Sequence, residues 1–118
     1  MPYNIQGQAA NIGTEPVLKG DKHYIPLREV VEALGGTLTW DNATKTADAV
    51  IGPWDASITA GSDDVTVVGN GQSIPVNMTA PAYIEDNEVY VPWDFLKDAY
   101  GYKVTFDNGT INIVNPNA

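Results

Sequence analysis

The chain holds one imidazole, His23, and no thiol at all. A triad would need that histidine beside a nucleophile and an orienting acid. Ser57, Ser62 and Ser73 are remote from it in sequence, and none sits in a nucleophile-elbow pattern. His23 therefore reads as a partly exposed residue at the end of a strand. Without cysteine there is no disulfide and no thiolate site for zinc, iron–sulfur or covalent catalysis. The densest carboxylates are Asp63-Asp64 and Glu85-Asp86-Asn87-Glu88. Their spacing fits no EF-hand, and glycine is missing where that loop needs it. They read as solvated turns. No catalytic residue, metal ligand set or cofactor is expected.

Charge narrows the partners. Six Lys and Arg face fifteen Asp and Glu, for a net charge of −9. Nucleic acid is excluded as a partner, because phosphate binding draws on clustered cations. Membrane insertion is excluded too, since no run approaches the ~18–20 apolar residues of a span. The start, MPYNIQGQ, has neither a charged nor an apolar leader region, so no signal peptide is expected in this chain. The hydrophobic share of 43% suffices for a folded core.

The elements that would position these side chains come in duplicate. YIPLREVVEALGG at 24–36 and YVPWDFLKDAYGY at 90–102 stand 66 positions apart. Shifted by 66, residues 24–42 fall on 90–108 without a gap. Tyr24/Tyr90, Pro26/Pro92, Ala33/Ala99, Gly35/Gly101, Thr39/Thr105, Asp41/Asp107 and Asn42/Asn108 are identical. Chance composition would give about one such match. Leu27, Val30, Val31 and Leu34 mark one helical face, with Pro26 at the first helical position and Gly35 as the stop. In the second copy Trp93, Leu96 and Tyr100 hold that stripe, and Phe95 falls off it. Each helix spans about nine residues. Residues 37–40 and 103–106 alternate polar and apolar, which predicts strands with one buried face. Each copy reads strand, strand, helix, strand, strand. The fold class is α+β: two pseudo-repeated β-β-α-β-β units in one small domain over 1–118, antiparallel strands wrapped around two short helices. Repeat one covers about 3–52, a connecting hairpin about 53–68, and repeat two about 69–115.

Flat aromatics could stack on sugar rings. Trp40 alternates inward and matches Phe106, so it is expected in the core. Trp93 lies on the helical stripe and reads mainly as core, yet it also departs from its counterpart Leu27. Trp54 has no counterpart and follows Pro53, which makes it the leading exposed contact. Trp54, Trp93 and Tyr83 are the candidate binding residues. Asn42, Asn77 and Asn108 begin Asn-x-Thr triplets that turn chemistry already explains.

The first copy, YIPLREVVEALGG followed by TLTWDNATKT, resembles the copper amine oxidase N-terminal-domain-like module of bacterial surface proteins. The resemblance runs from about residue 5 to residue 114. The second copy departs from it, with Trp93-Asp94 where the pattern has Leu-Arg. The resemblance implies a stalk-type module, extracellular or wall-associated, and not the enzyme. The oxidase itself needs three histidine ligands for copper, and this chain has one histidine. The expected function is a non-catalytic spacer, scaffold or assembly unit of the cell envelope. Its partners would be a wall polymer or neighbouring domains or subunits. A glycan-binding module is one alternative. A self-assembling fibre subunit is the other, with Tyr3–Ile5 and Ile111–Val114 pairing on a neighbour's sheet edge. Function is best sought where the copies differ, at Leu27-Arg28 against Trp93-Asp94 and around Trp54.

Overall fold

The structure, a computed structural model, describes residues 2–116. The chain opens with β1 (Tyr3–Ile5) and β2 (Gln8–Ala9), then runs through β3 (Val17–Lys19), β4 (Lys22–Pro26) and α1 (Leu27–Ala33). Next come β5 (Thr37–Asp41), β6 (Thr46–Ile51), β7 (Trp54–Thr59), β8 (Asp64–Gly69) and β9 (Gln72–Asn77). It finishes with β10 (Tyr83–Glu85), β11 (Glu88–Pro92), α2 (Phe95–Tyr100), β12 (Lys103–Asp107) and β13 (Thr110–Val114). The class is α+β and mainly β: antiparallel sheets with two short helices.

Three sheets share the core. The central one has the order β10-β11-β4-β3. Tyr24 lies opposite Pro92, Ile25 opposite Val91 and Pro26 opposite Tyr90. A second sheet, β5-β6-β7-β8-β9, is a plain meander. The third has the order β12-β13-β1-β2. Every pairing is antiparallel except β1 with β13, the first and last strands, which run parallel.

Local sequence explains most boundaries. Pro26 is extended (φ −74°, ψ 115°) and closes β4, so the proline ends a strand and the helix begins one residue later than expected. Leu27, Val30 and Val31 are buried. The second helix begins only at Phe95, and Trp93-Asp94 form a turn before it. Its buried residues are Phe95, Leu96 and Ala99. The stripe expected there is therefore displaced: Phe95 is core, and Trp93 is outside the helix. Gly101 closes α2 in the left-handed conformation (φ 73°, ψ 20°). The helices have seven and six residues, shorter than expected.

The terminal strands differ from expectation as well. β1 and β13 are the inner pair of their sheet, flanked by β2 and β12. Both hydrogen-bonding edges of each are taken, so neither is open to a neighbour. Residues 72–77, grouped above with the second copy, pair with β8 and extend the five-stranded sheet. Their edge position explains how β9 tolerates Pro75.

Gly36 marks the tightest join. A methyl group there would fall on the Val50 carbonyl oxygen and within 2.9 Å of Ile51 and Val31 side-chain carbons. The backbone oxygen is fixed by the sheet and cannot retreat. Gly36→Ala is expected to cost about 1–3 kcal/mol through overpacking. The measurement is a lowered denaturant midpoint at an unchanged m-value.

Candidate functional site

Trp54, Trp93 and Tyr83 are all half-buried. Trp54 starts β7 and packs over Gly69, where any side chain would strike its ring. It borders a shallow hollow of about 340 Å³ between β8–β9 and the end of α2, with Asp98 and Tyr100 on the far wall. Trp93 meets Phe106 edge-on at 5.7 Å, and Lys22 Nζ stands 5.9 Å from its ring centre. Tyr83 stacks on Tyr90 at 5.1 Å, takes the edge of Tyr24 at 4.8 Å, and carries Lys19 Nζ 4.0 Å from its ring centre. The structure does not bring these three aromatics into one site.

A different aromatic lines the best-formed cleft. The turn of the β10–β11 hairpin stands over the start of α1 and the β5–β6 hairpin, leaving about 310 Å³. Leu38 and Trp40 of β5 form one wall, Ile84 and Val89 the other. Arg28, Lys45, Glu88, Asn42 and Asn87 supply the polar groups. Alternation on β5 had placed Trp40 in the core. It does point to the same side as buried Leu38, but it stands one step beyond the core's rim and is only half-buried. The strand period gives the face of a side chain, not how far the cover extends along it. Arg28 was legible as a place where the copies differ. Glu88 lay in a run that read as a solvated turn.

The polar groups of the cleft are held in distinct ways. Asp41 Oδ1 accepts the Ala43 N–H at 2.9 Å and so fixes the β5–β6 turn. Lys45 Nζ donates to Asn42 Oδ1 at 2.8 Å. Arg28 Nη1 donates to the Leu38 carbonyl at 3.2 Å and lies 4.0 Å from Glu32 Oε2. Among the described residues, Glu88 Oε1 is buried with no hydrogen-bond partner. Leaving a buried acceptor unpaired costs about 1–3 kcal/mol. Burial raises the Glu88 carboxyl above its ordinary range; Glu29 adds to this, Arg28 opposes it, and Glu32 adds again. The site can therefore stack a flat apolar face and both donate and accept hydrogen bonds beside it.

Elsewhere the tyrosines serve the fold. Tyr3 donates to the Thr14 carbonyl at 2.8 Å, Tyr24 to Pro81 at 3.0 Å and Tyr100 to Ala49 at 2.8 Å. Burial raises all three phenols. His23 is half-buried, edge-on to Phe106 at 4.7 Å. Among the described residues no three His, Cys, Asp or Glu side chains converge as metal ligands would.

The fold is a set of small, mostly antiparallel sheets around two short helices, with one cleft at the β10–β11 hairpin. The family model of the copper amine oxidase N-terminal domain matches residues 4–115, and the chain belongs to that family. The N-terminal domain of copper amine oxidase is an accessory, non-catalytic module. No curated protein matches the chain.

The half-buried Glu88 carboxyl has a pH signature. Glu88 holds its proton more tightly folded than unfolded. Stability is therefore lost as pH rises from the ordinary carboxylate range through the raised value, and the penalty vanishes below it. Glu88→Gln removes that penalty. The variant is expected to be more stable than the parent at neutral pH, with the gap closing as the solution is acidified. Denaturant midpoints of both proteins across that range measure it.

Proposed function

We propose that the chain is a non-catalytic spacer or scaffold of the bacterial cell envelope, one domain that joins neighbouring domains or subunits. The surface setting is supported by its likeness to modules of bacterial surface proteins. The observation that carries the mechanical reading is the parallel pairing of β1 with β13, in register from Tyr3↔Ile111 to Ile5↔Ile113. Because the two strands run the same way, the chain enters at one end of the pair and leaves at the other. Tension through the two ends pulls β1 backwards and β13 forwards. The strands would have to slide, and their bonds would load together rather than open in sequence.

The pair is built for such a load. Ile111 N–H donates to the Pro2 carbonyl at 2.8 Å and Gln6 N–H to the Ile113 carbonyl at 2.9 Å. Asn4 Nδ2 bridges to Asn112 Oδ1 at 3.0 Å. The Asn115 N–H reaches Gln6 Oε1 beyond the end of the ladder. Tyr3, Ile111 and Ile113 are fully buried beneath it.

We also infer that the two halves are copies of one β-β-α-β-β unit. The bounds of β3, β4 and β5 recur 66 residues later as those of β10, β11 and β12. The β4–β11 register is unchanged when Tyr24 is exchanged for Tyr90 and Pro26 for Pro92.

Pulling single molecules tests the spacer reading, and the absence of cysteine makes paired handles simple to place. Handles at the two chain ends shear β1 against β13. Handles at Lys103 and Val114, a facing pair of the β12–β13 hairpin, peel that hairpin one bond at a time. Terminal pulling is expected to need at least about twice the force, since forced unfolding follows the unfolding barrier. Equal forces in the two geometries would remove the reading's support.

A further inference from the structure

The Trp40 cleft has a counterpart 66 residues away in sequence, where the chain's own side chains pair with one another. Lys22, His23, Asp94 and Phe106 stand where the cleft has Glu88, Val89, Arg28 and Trp40. Lys22 Nζ lies 3.5 Å from Asp94 Oδ2, and the Thr79 hydroxyl donates to Asp94 at 2.8 Å. His23 and Trp93 both make T-shaped contacts with Phe106. Charge is paired there, and two of the chain's own rings pack against the aromatic.

The cleft carries the same parts set apart. The charges are transposed, with Arg28 for Asp94 and Glu88 for Lys22. Arg28 is drawn away to the Leu38 carbonyl and Glu32. Glu88 Oε1 is left without a partner among the described residues. Val89 lacks the ring that His23 packs against Phe106, and Leu27, at the Trp93 position, is turned into the core. About 310 Å³ lies open between these groups, near the lower end of ligand clefts.

We propose that this cleft binds one ring of a neutral polysaccharide, stacked on Trp40 with its hydroxyls shared between Glu88 and Arg28. A hydroxyl donates to one partner and accepts from the other, which is what a separated carboxylate and guanidinium ask for. A cationic ligand would meet Arg28 and Lys45, and an anionic one would meet Glu88. The indole offers an apolar face for the C–H side of a pyranose. The site does not depend on the spacer role, because pulling reads β1–β13 and binding reads β5 and β11; either can fail alone.

Titrations with neutral tetrasaccharides of glucose, mannose and N-acetylglucosamine test it, with a chitosan tetramer and a tetragalacturonate as charged comparisons. Tryptophan fluorescence and indole NMR shifts give the readout. At least one neutral tetramer is expected to bind saturably and better than either charged one. Trp40→Ala should weaken it at least tenfold and Glu88→Gln severalfold, while Val68→Ala, at an exposed position on β8, leaves it unchanged. Val89→His rebuilds the counterpart's ring contact and should abolish binding with the fold intact, which decides the matter if Trp40→Ala does not fold. The proposal is overturned if no neutral tetramer saturates, if a charged one binds better, or if binding survives Val89→His.

Discussion

The structure depends on three facing residue pairs, Tyr24–Pro92, Ile25–Val91 and Pro26–Tyr90. They join β4 to β11 across the two similar halves, which the parallel β1–β13 ladder joins a second time. Ile25 and Val91 are fully buried at the centre of the β4–β11 ladder. A half of about fifty residues buries too little surface to stand alone. The prolines also limit the ladder, since neither can donate a backbone hydrogen bond. Each closes its strand and sends the chain out of the sheet towards a helix. One residue type thus sets both the length of the shared ladder and the departure point of α1 and α2.

The helices then tie the three sheets to one another. α1 touches β4 and β11 of the central sheet and β5 and β6 of the meander. α2 touches β12 of the third sheet and β9 of the meander. Helices of seven and six residues have no stability of their own. They are held because each presents its buried side chains to strands from separate sheets. The result is a single apolar cluster running from Tyr3 through Ile25, Val91 and Phe95 to Ile113.

Legibility in the sequence followed the range of the interactions. Strands bounded by local turns were readable, because alternation and Asp-Asn turns are local signals. β5, β12 and the connecting β7 and β8 fall where the pattern put them. α2 was misjudged at its start, since six residues are too few for a helical period to separate Phe95 from Trp93. The parallel join of β1 to β13 had no local signature, as its partners lie at opposite ends of the chain. The partial exposure of Trp40 was hidden for a related reason. Its exposure depends on what the β10–β11 hairpin places above it, and no property of β5 encodes that.

The transposed charges separate the Trp40 cleft from the position 66 residues away, where Lys22 and Asp94 pair. Backbone symmetry alone would make two equal clefts, or none. The difference rests on side chains of similar position and different reach. Lys22 has a flexible stem that carries its charge to Asp94, whereas the shorter Glu88 lies opposite an arginine already committed to a backbone carbonyl. His23 is a ring that packs against a ring; Val89 is not. Closing the cleft from within would satisfy Glu88 and remove a cost to the fold. Asp55 Oδ1 and Asp98 Oδ2 carry the same kind of cost, so what sets Glu88 apart is its place beside Trp40 and Arg28 in one cleft.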